Sequence, residues 1–139
     1  MLIIDSTNII LGRLATYAAK KALLGETVRI INCNKAVITG DKIVTLKKFK
    51  ERRDKGDAKF GPFYPKTSER IVKRAIRGML PYKQPKGRMA LERIKCFNNV
   101  PEDFQDKKVE TIKGADIGKL SDLKYLYVGD IAKHIGAKQ

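Results

Sequence analysis

The sequence predicts an α/β fold. A short apolar run at Leu2 to Asp5, a helical apolar spacing from Leu11 and a β-branched run at Thr27 to Asn32 follow one another at the N-terminus. Strand, amphipathic helix and strand make a βαβ unit, whose two strands lie parallel and are joined by a right-handed crossover. At 139 residues with 42% hydrophobic content, the chain suits one domain with its own core, expected over residues 1–139.

Leu2 to Asp5 runs into polar Ser6, Thr7 and Asn8, a strand followed by a turn. In the first helix Leu11, Leu14, Ala15, Ala18, Ala22 and Leu23 form one face, Arg13, Thr16, Lys20 and Lys21 fall mainly on the other, and Gly25 ends it. Ala36 to Thr39 is a further extended run, after which Gly40 and Asp41 supply a turn and a helix N-cap. The helix from Lys42 carries Ile43, Val44, Leu46 and Phe49 in its first two turns. Beyond Phe49 the stretch Lys50 to Lys55 has nothing to bury, so this half is expected to project, either as a binding arm or as a solvated helix end.

Gly56 to Thr67 reads as a loop containing Phe60, Phe63 and Tyr64 between Lys59 and Lys66. The rings either fold back onto the core or, flanked by cations, stack on unpaired RNA bases. Ser68 is placed to cap the next helix, with Val72, Ala75, Ile76, Met79 and Leu80 inward and Pro81 as its stop. After the loop Tyr82 to Gly87 come a short helix, Arg88 to Arg93, and a strand, Ile94 to Phe97. Tyr125 to Val128 is the last apolar run, followed by Gly129-Asp130 and a helical pattern over Ile131 to Ile135 that stops at Gly136.

The 30 basic and 15 acidic residues leave a net charge of +15, which attracts polyanions. Residues 1–40 carry +3, residues 41–95 carry +12 with 18 basic and six acidic side chains, and residues 96–139 are neutral with seven of each. A charge serving solubility alone would be scattered; this one fills a single stretch that also holds arginines, glycines, prolines and aromatics. No apolar stretch approaches the ~18 to 20 residues needed to cross a bilayer, so no membrane partner is expected. Met1 to Asp5 lacks a basic leader and an apolar block, so secretion is not expected. Cys33 and Cys96 lie 63 positions apart, spaced as neither a disulfide framework nor a metal-binding pair, and are expected to be small buried hydrophobes in a reducing compartment.

Catalytic groups are sparse. His134 is the single histidine, and Ser6, Ser68 and Ser121 are outside any Gly-x-Ser-x-Gly elbow. Neither a Walker loop nor a dinucleotide-binding glycine pattern occurs, so no catalytic residue, metal, cofactor or small-molecule substrate is expected. A nucleic-acid-processing enzyme using Asp5, Asp41 or Glu92 with Mg²⁺, and a nonspecific DNA-binding protein, are the alternatives. Side-chain binding of phosphates fits better. Arg70, Lys73, Arg74 and Arg77 have the 3-4-3 spacing of one helix flank, and Lys83, Lys86 and Arg88 continue the run. Arg52 and Arg53 on the projecting half-helix, Lys59 and Lys66 around the rings, and Arg13 beside the start of the first helix complete this candidate set.

The motifs Gly12-Arg13-Leu14-Ala15, Ala18-Ala19-Lys20, Asn32, Thr39-Gly40, and above all Arg77-Gly78-Met79-Leu80-Pro81 followed by Gly87-Arg88-Met89-Ala90-Leu91-Glu92-Arg93-Ile94-Lys95-Cys96-Phe97, resemble the universal large-subunit ribosomal protein L thirteen family. The resemblance spans about residues 2–101, and the tail from about 125 to 136 is similar to its archaeal type. It implies a three-layer α/β/α sandwich around a four-stranded parallel sheet, with basic loop and helix extensions. It also implies a non-enzymatic, cytoplasmic constituent of the large ribosomal subunit that binds large-subunit rRNA, acts early in subunit assembly and touches neighbouring ribosomal proteins. By matching position it adds Gly78 and Gly87 to Arg13, Arg77, Lys83, Lys86 and Arg88 as rRNA contacts, making 41–95 the RNA-facing region and 102–139 a charge-neutral C-terminal part.

Overall fold

In the computed structural model, which describes residues 1–138, β1 (Leu2–Asp5) and β2 (Val28–Ile31) pair in parallel with Leu2 opposite Val28 and Asp5 opposite Ile31. α1 (Leu11–Leu23) is the crossover between them, as the apolar spacing predicts. Its end is closed by paired bonds, the Gly25 N–H donating to the Ala22 carbonyl and the Glu26 N–H to that of Lys21. β3 (Val37–Thr39), α2 (Lys42–Asp54), α3 (Ser68–Gly78), α4 (Pro85–Glu92), β4 (Ile94–Cys96), β5 (Tyr125–Tyr127) and α5 (Val128–His134) follow. Gln139, the last residue of the expected C-terminal part, lies outside the described residues.

The parallel sheet has three strands in the order β1-β2-β4, not the four implied by the resemblance. β3 leaves the sheet and pairs antiparallel with β5, Val37 opposite Tyr127. The reason is chain length: β2 ends at Ile31 and β3 begins at Val37, whereas a parallel return within one sheet takes about a dozen residues or more. Among the described residues the outer edge of β1 is bridged by Glu110, which donates to the Ile3 carbonyl at 2.8 Å and accepts from the Asp5 N–H at 3.1 Å.

Alternation along the strands divides the core. Leu2, Ile4, Val28, Ile30 and Ile94 join Leu14, Ala18, Val72 and Ile76 of the helices in one cluster. Ile3 and Ile31 point the other way and pack with Phe97 and Phe104, whose rings meet edge to face at 5.6 Å. Cys33 and Cys96 are both free; with β4 beside β2, their thiols are neighbours despite their separation in sequence. The Cys96 thiol and burial together push the Cys33 thiol well above its ordinary range, as expected of an inert core residue. Cys96 itself is only half-buried.

Several helix details depart from the sequence reading. Asp41 caps α2 as predicted, accepting from the N–H groups of Ile43 and Val44, yet those two side chains are 78% and 64% exposed. The buried residues are Thr45 and Phe49, and Arg53, four further on, continues their line to the Ile135 carbonyl at 3.3 Å, so this end of α2 is tied to the body. The N-cap position of α3 is Thr67, not Ser68, and the Glu69 N–H is satisfied from afar by Asn98 Oδ1 at 3.1 Å. The α3 stripe is Ile71, Val72 and Ile76 with Leu80, while Met79 turns outward. α5 starts at Val128, ahead of the expected Ile131.

α4 begins at Pro85, three residues earlier than expected, because proline at the first helical position has no N–H to leave unpaired. Gly87 consequently sits in its first turn, buried, where a Cβ would overlap the Pro81 carbonyl. Gly87→Ala is expected to lower stability by about 1–3 kcal/mol in denaturant unfolding, with the secondary structure retained.

Asp5, at the end of β1, accepts from the Thr7 hydroxyl at 2.7 Å, the Thr7 N–H at 3.0 Å and Asn32 Nδ2 at 3.1 Å. Burial works to raise its pKa, but these bonds and the nearby Lys35 outweigh it and hold the carboxyl below the ordinary carboxylate range. A lowered folded-state pKa means stability that is present above the unfolded value and lost as the pH falls through the folded one. Asp5→Asn is therefore expected to unfold at lower denaturant than the parent at pH 6–7, with the gap closing in titrations taken below about pH 4.

Candidate nucleic-acid interface

Once Ile71, Val72 and Ile76 face the core, helical geometry leaves Arg70, Lys73, Arg74 and Arg77 along the outer flank of α3. These four cations and Leu91 of α4 line one cleft of about 220 Å³. Among the described residues no carboxylate is within ion-pair distance of them. Among the described residues the ion pairs are Lys21 with Glu26 at 3.1 Å and Arg53 with Asp54 at 2.8 Å. Arg53 holds the Asp54 carboxyl below the ordinary carboxylate range, and Asp54 raises Arg53 in return. Arg74 and Arg77 instead rest on aromatic faces, 5.5 Å from the Tyr64 centroid and 4.9 Å from that of Tyr82. Such contacts fix a guanidinium's direction and leave its charge intact.

Arg70 and Arg74 also line a larger groove of about 750 Å³ between the end of α2, the 56–67 segment and α3, together with Arg53, Lys55, Lys66, Phe63 and Tyr64. Two neighbouring concavities thus share the α3 flank as their wall. Lys55 was outside the candidate set; the fold-back of the loop over the end of α2 brings it in, and no spacing rule signals that.

The 56–67 segment is less irregular than its composition suggests. Asp57 and Gly61 exchange backbone bonds at 3.1 and 2.8 Å, and Asp57 Oδ1 accepts from the Lys59 N–H at 3.2 Å, so Lys59 and Phe60 sit on a tight turn. The three rings part ways. Tyr64 folds back edge to face on Phe49 at 6.1 Å, while Phe60 and Phe63 remain 80% and 70% exposed.

The remaining candidates are spread more widely. Lys83 and Lys86 are exposed, and Arg88 folds over the turn before α4, donating from Nε and Nη2 to the carbonyls of Tyr82 and Lys83 at 3.4 and 3.3 Å. Gly78 is open to solvent, whereas Gly87 is enclosed against Pro81 and offers no backbone approach. Arg52 is exposed and lies 5.3 Å from the Phe49 ring. Arg13, exposed on the first turn of α1, donates from Nη1 to the Gly114 carbonyl at 2.6 Å. The Thr16 hydroxyl, 3.3 Å from Met79 Sδ, ties this helix to the end of α3. The N-terminus of α1 has no side-chain cap.

The carboxylates of the enzymatic alternative serve the scaffold: Asp5 holds Thr7 and Asn32, Asp41 caps α2, and Glu92 is exposed at the end of α4. Among the described residues no three His, Cys, Asp or Glu side chains gather as a metal site would require, and no helix is long and apolar enough to cross a membrane. His134 is exposed on α5.

Comparison with known proteins identifies the family. The family described as Ribosomal protein L13 matches residues 1–103. The large ribosomal subunit protein uL13 of Methanosarcina barkeri is 45% identical over 139 residues, covering 99% of each chain. That of Thermoplasma acidophilum is 45% identical over 136 residues and 98% of each chain, and that of Archaeoglobus fulgidus is 42% identical over 135 residues, 96% of this chain and 86% of its own. With an α/β fold, an arginine-rich α3 flank and relatives of this kind along nearly its whole length, the chain belongs to the ribosomal protein L13 family.

Proposed function

We propose that this chain is a non-enzymatic constituent of the large ribosomal subunit, working in the cytoplasmic ribosome, and that it binds large-subunit rRNA through the cationic flank of α3 and the grooves on either side. The observation that carries this reading is the convergence of Arg70, Lys73, Arg74 and Arg77 on one cleft with no carboxylate partner. Like charges held together on a folded surface repel, and a phosphate backbone entering the cleft turns that repulsion into attraction. Arginine suits the task because its planar fork binds phosphate oxygens in pairs and its face stacks on bases.

Around this flank, Lys66 and Arg53 extend the cationic surface toward α2, with Arg52 on that helix and Lys59 on the turn beyond. Arg88, Lys83 and Lys86 extend it past Tyr82, with Gly78 as an open stretch of backbone, and Arg13 supplies a contact beside the uncapped start of α1. Gly87 acts indirectly, by letting α4 approach Pro81 closely enough to set the Arg88 turn. Residues 41–95 form the RNA-facing region of a single domain over 1–139, and the neutral 102–139 part leaves its surface to the core and to neighbouring large-subunit proteins. Early action in subunit assembly is part of the same reading and rests on membership of the L13 family.

If about six phosphates are contacted, the log–log slope of affinity for large-subunit rRNA against salt is expected to be about −4 to −5. Arg70 and Lys73 make no internal bond among the described residues, so the double variant Arg70→Ala/Lys73→Ala should keep its circular dichroism and melting temperature while the slope becomes shallower by about 1.5. An unchanged slope would remove both residues from the interface. Equal affinity for duplex DNA at matched salt would make the binding nonspecific.

A further inference from the structure

We infer that Phe60 and Phe63 form a stacking platform for unpaired bases of the rRNA, a proposal that rests on the rRNA-binding reading above and assigns this surface a ligand of its own. Three aromatic rings lie within five residues, and the core had a place for one of them. Tyr64 took it, against Phe49 and beneath Arg74, while the two phenylalanines, which have no polar atom to offer water, stayed outside at 80% and 70% exposure. Slack chain does not explain this. The turn that carries Phe60 is closed by the reciprocal Asp57–Gly61 bonds, and Gly56, at φ +103°, packs so tightly that a Cβ there would lie 2.5 Å from the Gly61 carbonyl oxygen. The backbone of this turn holds Phe60 out, and Phe63 follows it just beyond Gly61.

What covers them is indicated by the charge around them. Lys59 Nζ lies 5.5 Å from the Phe60 centroid, and Phe63 borders a groove in which Arg53, Lys55, Lys66, Arg70 and Arg74 outnumber the carboxylates Asp54 and Asp57, leaving a net positive wall. An apolar protein surface docked here would have to strip water from those cations without compensation. A nucleotide supplies both halves of the match, since its base offers a π face to the ring and its phosphate a counter-charge to the neighbouring cation. A paired base is already stacked on both faces, so the platform selects loops, bulges and ends.

The test compares the parent chain with Phe60→Leu/Phe63→Leu and with Phe60→Trp/Phe63→Trp, binding either an in vitro transcript of an archaeal large-subunit rRNA or a fully paired RNA duplex. The leucine pair should bind the transcript at least about tenfold more weakly, with an unchanged salt slope because no charge is altered, and should bind the duplex as the parent does. The tryptophan pair should recover the loss. Undiminished affinity of the leucine pair, or an equal loss on the duplex, overturns the platform. So does undiminished RNA affinity combined with loss of a ribosomal protein from reconstituted particles, which would assign the rings to a protein contact. Failure of the parent chain itself to prefer the transcript over duplex DNA would sink the rRNA reading instead.

Discussion

Burial of Ile71, Val72 and Ile76 against α1 and the sheet is the constraint on which the rest of the molecule depends. An α-helix has one set of angular positions to distribute. When three of them are committed to the core, Arg70, Lys73, Arg74 and Arg77 have only the outer flank left. Four cations are thus brought together by hydrophobic burial, with no attraction among them, and among the described residues none of them is in an ion pair, although Glu69 shares the helix and Asp54 and Asp57 line the groove beside Arg70 and Arg74. The sheet beneath has the same logic: β2 lies between β1 and β4, so its core-facing Val28 and Ile30 are wholly buried and give α1 and α3 a floor to pack on.

Legibility from sequence followed the range of the interaction involved. β1, α1 and β2 could be placed because a βαβ unit is fixed by local periodicity and a crossover of suitable length. The α3 flank could be placed for the same reason, since its spacing is a property of one helix. The fate of β3 could not be taken from its own residues: Val37 to Thr39 suits a parallel or an antiparallel partner equally, the short link from β2 rules out a parallel return beside it, and the antiparallel partner, β5, arrives from the far end of the chain. Ile43 and Val44 show the opposite failure. Apolar residues near a helix start suggest a buried face, yet Phe49 set the rotation of α2, since burying its ring outweighs burying either smaller side chain. Asn98 capping α3 from 29 positions away, Gly87 against Pro81 and Lys55 in the groove are all tertiary facts without a local signal.

The uneven division of charge along the chain has a structural counterpart. The neutral C-terminal part supplies staples: Phe104 closes the far face of the sheet, Glu110 bridges the edge of β1, β5 pairs with β3, and α5 receives Arg53 on the Ile135 carbonyl. A segment that wraps a body carrying +12 in its middle region gains by adding no further positive charge, because each cation placed on that surface would repel those already there.

Among the described residues two modes of holding an arginine recur on this surface, with Arg70 in neither. Arg13, Arg53 and Arg88 spend donors on main-chain carbonyls of Gly114, Ile135, Tyr82 and Lys83, which fixes loops and helix ends. Arg74 and Arg77 spend none and are oriented by the faces of Tyr64 and Tyr82. A guanidinium has five N–H donors, so the first mode still leaves some for an anion, and the second leaves all of them. Aromatic support therefore lets α3 hold its arginines ready for phosphate while the carbonyl-bonded arginines hold the frame around them, and replacing either kind with lysine would keep the charge but lose the geometry.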